Sequence, residues 1–253
     1  MTGYLKLESF GTNLNAAVIG VSGGIGGAIA GQLDECQAVS RVVRLSRTVA
    51  APSADGRLQF HLDLQNERSI GDAADAIAKS LGVIHIVFVA TGLLHQHNRL
   101  LQPEKTWRSL SSSALETAFR INTIGPALIA KHFLPLLAKD RKSAFAALSA
   151  RVGSIQDNHL GGWYAYRASK AGLNMMIKTL SIELARRNPG ALCVGLHPGT
   201  VDTTLSKPFQ GGVREDKLFS PDQSARYLLR VLDGLTPAES GGIFAWDGSV
   251  IPA

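Results

Sequence analysis

Short apolar runs and helix-length patterns alternate along almost all of this chain. The runs fall at 16–19, 42–45, 58–62, 83–89, 144–148, 191–196 and 243–245. They are apolar at consecutive positions rather than at every second one, so both faces of these strands have to be covered. Helical patterns lie between them, at about 25–33, 67–81, 114–137, 163–187 and 221–232. Such an order predicts an α/β fold: a doubly wound sheet of about seven mostly parallel strands with helices on both faces. Pro126 predicts a kink in the 114–137 helix, because proline removes a ladder donor. The stretch from Thr203 to Phe219 holds Pro208 and Gly211-Gly212 and reads as a mobile loop. With 253 residues, 45% of them hydrophobic, the chain can bury a large core and reads as a single domain, 1–253.

Several function classes are disfavoured. No run of about 18 apolar residues is present, so no membrane helix is expected. The first residues lack the apolar stretch of a signal peptide. Cys36 and Cys193 are far apart and match no metal spacing, which fits a reduced, cytoplasmic setting. The formal charge of +6 comes from scattered groups such as Arg41, Arg44, Arg141, Lys142, Arg186 and Arg187. These are not interleaved with aromatics, so a nucleic-acid partner is not expected. His95 and His97 have no third ligand at a useful spacing, and no metal site is assigned.

The run Gly20-Val-Ser22-Gly-Gly24-Ile25-Gly26 follows the first strand and opens the first helix. Glycines there let a pyrophosphate approach backbone N–H groups at a helix N-terminus, as in Rossmann-type folds. A preference for NAD usually shows as an acid about 20 residues on, which binds the ribose 2′-hydroxyl. This chain has Ser46-Arg47 instead. A hydroxyl and a guanidinium can hold a 2′-phosphate, so NADP(H) is favoured and NAD(H) is the alternative. Asp63, with Leu64 beside it, follows the third strand and is placed either to meet the adenine or to cap a turn. Ala90-Thr-Gly92 closes the fourth strand with small residues that leave room for a dinucleotide.

Tyr166 and Lys170 are four apart, hence stacked on one helix face. An ammonium near a phenol favours phenolate and lowers a pKa that is ordinarily about 10. The pair is therefore a candidate acid/base for carbonyl–alcohol chemistry. Chance also produces such spacings, so the pair gains weight only from the rest of the chain.

Gly20-x-x-x-Gly24-x-Gly26, Asp63, Ala90-x-Gly92, Asn122, Tyr166-x-x-x-Lys170 and Pro198-Gly199, in that order, resemble the short-chain dehydrogenase/reductase family over nearly the whole chain. The runs 151–155 and 161–170 look like the branch of sniffer-type carbonyl reductases and bacterial C-factor proteins. The resemblance implies an NAD(P)(H)-dependent oxidoreductase acting on a small carbonyl or alcohol, with Tyr166 as acid/base. It implies that Lys170 tunes Tyr166 and holds the nicotinamide ribose, and that Asn122 anchors a relay water. Pro198-Gly199 would shape the nicotinamide pocket, with Val201 or Thr203 at the carboxamide. Many members are homodimers or homotetramers.

The family places a carbonyl-polarising serine three residues before a glycine. Aligned on Gly153, that position is Ala150, and a methyl group donates no hydrogen bond. Ser149 could serve if the strand has ended or bulges there, and Ser154 is the other candidate. Losing one such donor can cost about 100- to 1000-fold in rate. The gap leaves a second reading open, a dinucleotide-binding sensor or signalling protein with little catalysis. His159, Trp163, Phe209 and Trp246 are further candidates to line a substrate pocket.

Overall fold

The computed structural model describes residues 5–48, 57–96 and 101–253. The chain runs through β1 (Leu14–Ile19), α1 (Gly24–Glu35), β2 (Val39–Ser46), β3 (Leu58–His61), α2 (Glu67–Leu81) and β4 (Ile86–Val89). Next come α3 (Ser112–Phe119), α4 (Gly125–Phe133), β5 (Ser143–Leu148), α5 (Tyr164–Arg187) and β6 (Ala191–His197). The two-residue strands β7 (Thr200–Val201) and β8 (Leu218–Phe219), then α6 (Pro221–Gly234) and β9 (Ile243–Ala245), complete the order.

Seven strands form one sheet in the order β3-β2-β1-β4-β5-β6-β9, with every neighbouring pair parallel. Successive strand residues point to opposite faces, and each face has its own core. Ala17, Ile19, Val87, Val89, Phe145, Ala147 and Cys193 pack with residues of α2, α4 and α5. Ala16, Val18, Ile86, Phe88, Ala146, Val194 and Leu196 pack with α1 and α6. This is why the strands read as continuous apolar runs. The chain leaves β1 toward β2 on one side and reaches β4 on the other. The carboxyl ends of β1 and β4 therefore flank the crevice where open α/β sheets take their ligands.

Local signals set the helix ends. Asn66 caps α2 by accepting from the N–H groups of Arg68 and Ser69, and Gly82, at φ 75°, ends it. Ser220 and Gln223 form a capping box on α6, with Pro221 in its first turn. No helix among the described residues is long and apolar enough to cross a membrane. Cys36 and Cys193 are buried free thiols, and burial pushes the Cys193 thiol up to about 12.

Some expected boundaries move. The apolar run 83–89 yields a strand only over Ile86–Val89; Ile84 makes an isolated bridge to Leu137. Asn15 explains the late start, since its amide donates to Val83 O and its N–H to His85 Nδ1. The distortion expected at Pro126 lies just before it, as a π-turn over Arg120–Ile124 in which Gly125 N–H reaches back to Arg120 O. Residue 126 would ordinarily donate to the carbonyl of Asn122. Proline has no N–H, and the helix widens where that donor is missing. The 203–219 segment carries short regular pieces within the expected loop. β7 and β8 tie its ends, Asp202 N–H donates to Phe219 O at 2.8 Å, and short 3₁₀ turns occupy Lys207–Phe209 and Glu215–Lys217.

Lys142, just before β5, holds the far end of α6. Its Nζ donates to the carbonyls of Leu232, Asp233 and Leu235 at 3.0, 2.8 and 2.6 Å and to Ser9 Oγ at 2.7 Å. The ammonium also lies 4.3 Å from the centroid of the Phe10 ring. Lys142→Met keeps the stem but strands these carbonyls. It should lower stability by about 2 kcal/mol in urea unfolding, and an unchanged midpoint would refute the clamp.

Candidate active site

The glycine turn after β1 is built by steric necessity. Gly20 has φ 92°, and a Cβ there would lie 2.9 Å from Ala90 O and from Thr91 Cγ2. A Cβ on Gly26 would sit 2.3 Å from Gly20 O. Only hydrogen fits at either place, so the turn folds flat onto the end of β4. α1 then starts at Gly24, with no side-chain cap and no acid in its first turn. Ser22 and Gly24 are exposed, Ile25 is half-buried and Gly26 is buried. Uncapped N–H groups at the positive end of a helix dipole, on a glycine surface, suit the pyrophosphate of a dinucleotide. Thr91 Oγ1, buried beside this turn, has no hydrogen-bond partner among the described residues.

Around this turn lie the other cofactor candidates. Ser46 ends β2 and donates its hydroxyl to Thr48 O at 2.6 Å, while Arg47 next to it is exposed. Arg44 is taken up by Asp34, which leaves Arg47 as the exposed guanidinium at this strand end. Asp63 Oδ1 accepts from Gln65 N–H at 3.0 Å, so the turn role is present; its second oxygen accepts no hydrogen bond among the described residues. Leu64 is buried, against Gly125. Gly199, at φ 76°, is packed against Phe219 and Trp246, and Ser224 Oγ donates to Pro198 O. Thr203 Cγ2 would lie 3.0 Å from a Cβ on Gly24, so the segment after Pro198-Gly199 meets the glycine turn. Val201 is buried within β7.

On the α5 side, Asn122, Lys170 and Gly92 converge. Asn122 is fully buried in the π-turn. Its side chain accepts from Leu93 N–H and donates to Leu93 O, both at 2.8 Å, and donates to Ser169 Oγ at 3.0 Å. Ser169 Oγ in turn donates to Tyr166 O at 2.8 Å. Lys170 is 2% exposed and its Nζ donates to Leu148 O at 2.7 Å. A Cβ on Gly92 would stand 3.7 Å from Lys170 Nζ and 3.9 Å from Asn122 Oδ1. Gly153 allows this docking, because a Cβ there would lie 2.8 Å from Lys170 Cβ.

Electrostatics here run against the expectation drawn from spacing. Lys170 Nζ is 5.9 Å from the Tyr166 ring centroid. Burial draws Lys170 down to about 7 and pushes Tyr166 up to about 12. Desolvation outweighs the attraction between the two groups, and burial favours the neutral form of each. His197, ending β6 on the α5 face, is also drawn down, to about 4, by burial first and by the nearby Arg151.

Both sequence candidates for the missing serine make other hydrogen bonds. β5 ends at Leu148, so Ser149 is released from strand alternation, yet its hydroxyl donates to Asn174 Oδ1 at 2.6 Å. Ser154 donates to Ala253 O at 3.3 Å and accepts from Asp157 N–H. Ala150 itself is buried at the turn that follows.

Of the pocket candidates, Trp163 packs edge-on to Tyr166 at 6.3 Å and against Phe209 at 5.0 Å; His95 meets Phe209 at 5.7 Å. Trp246 belongs to a separate cluster with Phe219 and Tyr227, and His159 is exposed. His97 lies outside the described residues. Among the described residues, no group of three His, Cys, Asp or Glu side chains is placed to hold a metal ion. Sequence reasoning missed Ser169 and Glu104. Ser169 stands between Tyr166 and Lys170 and could have been read from helical spacing, whereas nothing local marks Glu104.

Comparison with known proteins agrees with this geometry. The chain matches the short chain dehydrogenase family over residues 14–212. It is 30% identical over 202 residues to an uncharacterized oxidoreductase of Schizosaccharomyces pombe, covering 76% of each chain. It is 40% identical over 134 residues to the C-signal protein of Myxococcus xanthus, covering 53% of this chain and 75% of that one. The NADPH-bound carbonyl reductase from chicken fatty liver superposes with a TM-score of 0.81 at 25% identity, over 96% of this chain and all of that one. A parallel sheet wound on both faces, a glycine turn at its switch point and a buried lysine one helical turn after a tyrosine thus meet in one molecule, and the chain belongs to the short-chain dehydrogenase/reductase family of oxidoreductases.

Proposed function

We propose that this enzyme is an NADP(H)-dependent carbonyl reductase or secondary-alcohol dehydrogenase in which Tyr166 moves the hydroxyl proton. The observation that carries the reading is the convergence of buried Lys170 and Asn122 beside exposed Gly92, one helical turn from Tyr166 and across the crevice from an uncapped glycine turn. Gly20, Ser22, Gly24, Ile25 and Gly26 would hold the pyrophosphate. Ser46 and Arg47 would take a 2′-phosphate, and Asp63 and Leu64 would meet the adenine. Ala90 and Gly92 would border the ribose, with Pro198, Gly199, Val201 and Thr203 at the nicotinamide. When bound, that cofactor supplies or accepts the hydride.

The protein's own residues handle the proton. Tyr166 is neutral in the free enzyme and is therefore a donor to a carbonyl oxygen. Lys170, drawn to about 7, exchanges a proton readily near neutral pH and can recharge the phenol. The main-chain carbonyl of Asn122, which receives no i+4 hydrogen bond because residue 126 is a proline without an N–H, is suited to accept from a water that continues the relay. Placement and proton supply remain intact with Ala150, but one carbonyl-polarising donor is gone. Reduced turnover, rather than absent turnover, is the expected consequence. The sensor reading is less well supported, because the family is one of oxidoreductases, the Schizosaccharomyces pombe relative is named as one, and Tyr166, Lys170 and Asn122 are all present.

Three measurements test this. NADPH should raise the melting temperature more than NADH at equal concentration, and Arg47→Ala should remove the difference; equal shifts in the parent enzyme would refute the 2′-phosphate assignment. Against a panel of aldehydes, ketones and quinones read by NADPH absorbance, Tyr166→Phe should abolish turnover while NADPH still shifts the melting temperature. Turnover surviving that change would take Tyr166 out of the chemistry. Ala150→Ser should raise kcat by about 10-fold or more if the lost hydroxyl limits the rate, and a well-folded variant with unchanged kcat would show that another donor serves.

A further inference from the structure

Tyr166 is the third residue of α5, so the position of its ring depends on how the first turn of that helix is held. The residue before the helix is Trp163, which lies in the left-handed region at φ 52°, ψ 42° and gives no side-chain cap. A non-glycine residue persists there only when its surroundings impose it. Arg167 Nε holds the preceding turn by donating to Gly161 O and Gly162 O at 3.2 and 3.0 Å, and the remaining hold on the backbone comes from Glu104, far earlier in the sequence. Trp163 N–H donates to Glu104 O at 2.6 Å, and Ala165 N–H donates to Glu104 Oε2 at 3.2 Å.

Glu104 is 5% exposed. A buried carboxylate is unfavourable unless it meets positive charge or donors, and the N-terminus of α5 supplies both. Its other oxygen, Oε1, is buried with no hydrogen-bond partner among the described residues. Among the described residues, the side chain's hydrogen bonding therefore runs to α5 alone. The same tether sets the indole of Trp163 between the Tyr166 ring and Phe209.

We propose that Glu104 is a positioning residue for Tyr166: it grips the first turn of α5 through the two N–H groups that flank Tyr164 and holds the phenol and the Trp163 wall in register. The inference rests on the reading of Tyr166 as the acid/base. A carbonyl acceptor at position 104 is what the grip requires, so glutamine, whose amide oxygen can take the same bond, should preserve it.

The test compares Glu104→Ala, Glu104→Gln and Tyr166→Phe in the full chain, with the best carbonyl of the panel and NADPH. Glu104→Ala should lower kcat by about 10-fold or more while KM for NADPH stays within about twofold, and Glu104→Gln should recover kcat to within about threefold. In hydrogen exchange, the backbone amides of 163–167 should lose protection in Glu104→Ala and keep it in Glu104→Gln, with α6 unchanged in both. Wild-type kcat in Glu104→Ala, or unchanged protection at 163–167, would overturn the tether. So would loss of protection across the whole chain, or equal damage by Gln and Ala, since these indicate general stability or charge. Turnover retained by Tyr166→Phe would instead sink the acid/base assignment, and the exchange measurement would still judge the tether by itself.

Discussion

A parallel sheet with both faces buried is the constraint on which everything else depends. Parallel strands cannot be joined by tight hairpins, so the chain must cross back over the sheet between them. Helices make those crossings and cover the apolar faces. All strands then point the same way, and the loops after β1, β4, β5 and β6 gather at one edge. Gly20, Gly92, Ala150 and Pro198 meet there because of topology, although they are far apart in sequence.

Close packing then restricts which residues can stand at that edge. Gly26 and Gly20 touch backbone to backbone, and Gly153 lies against the backbone of Lys170. These contacts place a helix N-terminus on one side of the crevice and a buried ammonium on the other. The ammonium is bonded to the Leu148 carbonyl, so its location follows from where β5 ends. Lys170 and Tyr166 are brought together by this placement, although burial drives both toward neutrality.

The sheet strands and helices were largely legible because a parallel strand buried on both faces leaves a continuous apolar run. α2 was read at its observed bounds, for Asn66 and Gly82 mark its ends chemically. The 114–137 helix was read as one kinked piece, and the π-turn went unseen because a missing donor at Pro126 can be accommodated on either side of the proline. The short pairing of β7 with β8 left no periodic signal, being two residues on each strand. The glycine turn, Asn122, Tyr166 and Lys170 could be found as spacings. Ser169 lay within reach of the same helical spacing, but Glu104 and the Leu148 carbonyl did not, since their parts depend on contacts between distant segments.

The sequence by itself determined the layer order of the fold, the glycine surface at the end of β1, the tyrosine–lysine spacing and the replacement of a hydroxyl by the methyl group of Ala150. These follow from residue type and short-range geometry. Only the tertiary structure decided that Ser149 and Ser154 both donate to other acceptors, that burial pushes the Tyr166 phenol up, and that Glu104 grips the helix carrying it. Hydrogen-bond partners and desolvation are set by which segments meet in three dimensions, and the local sequence does not encode them.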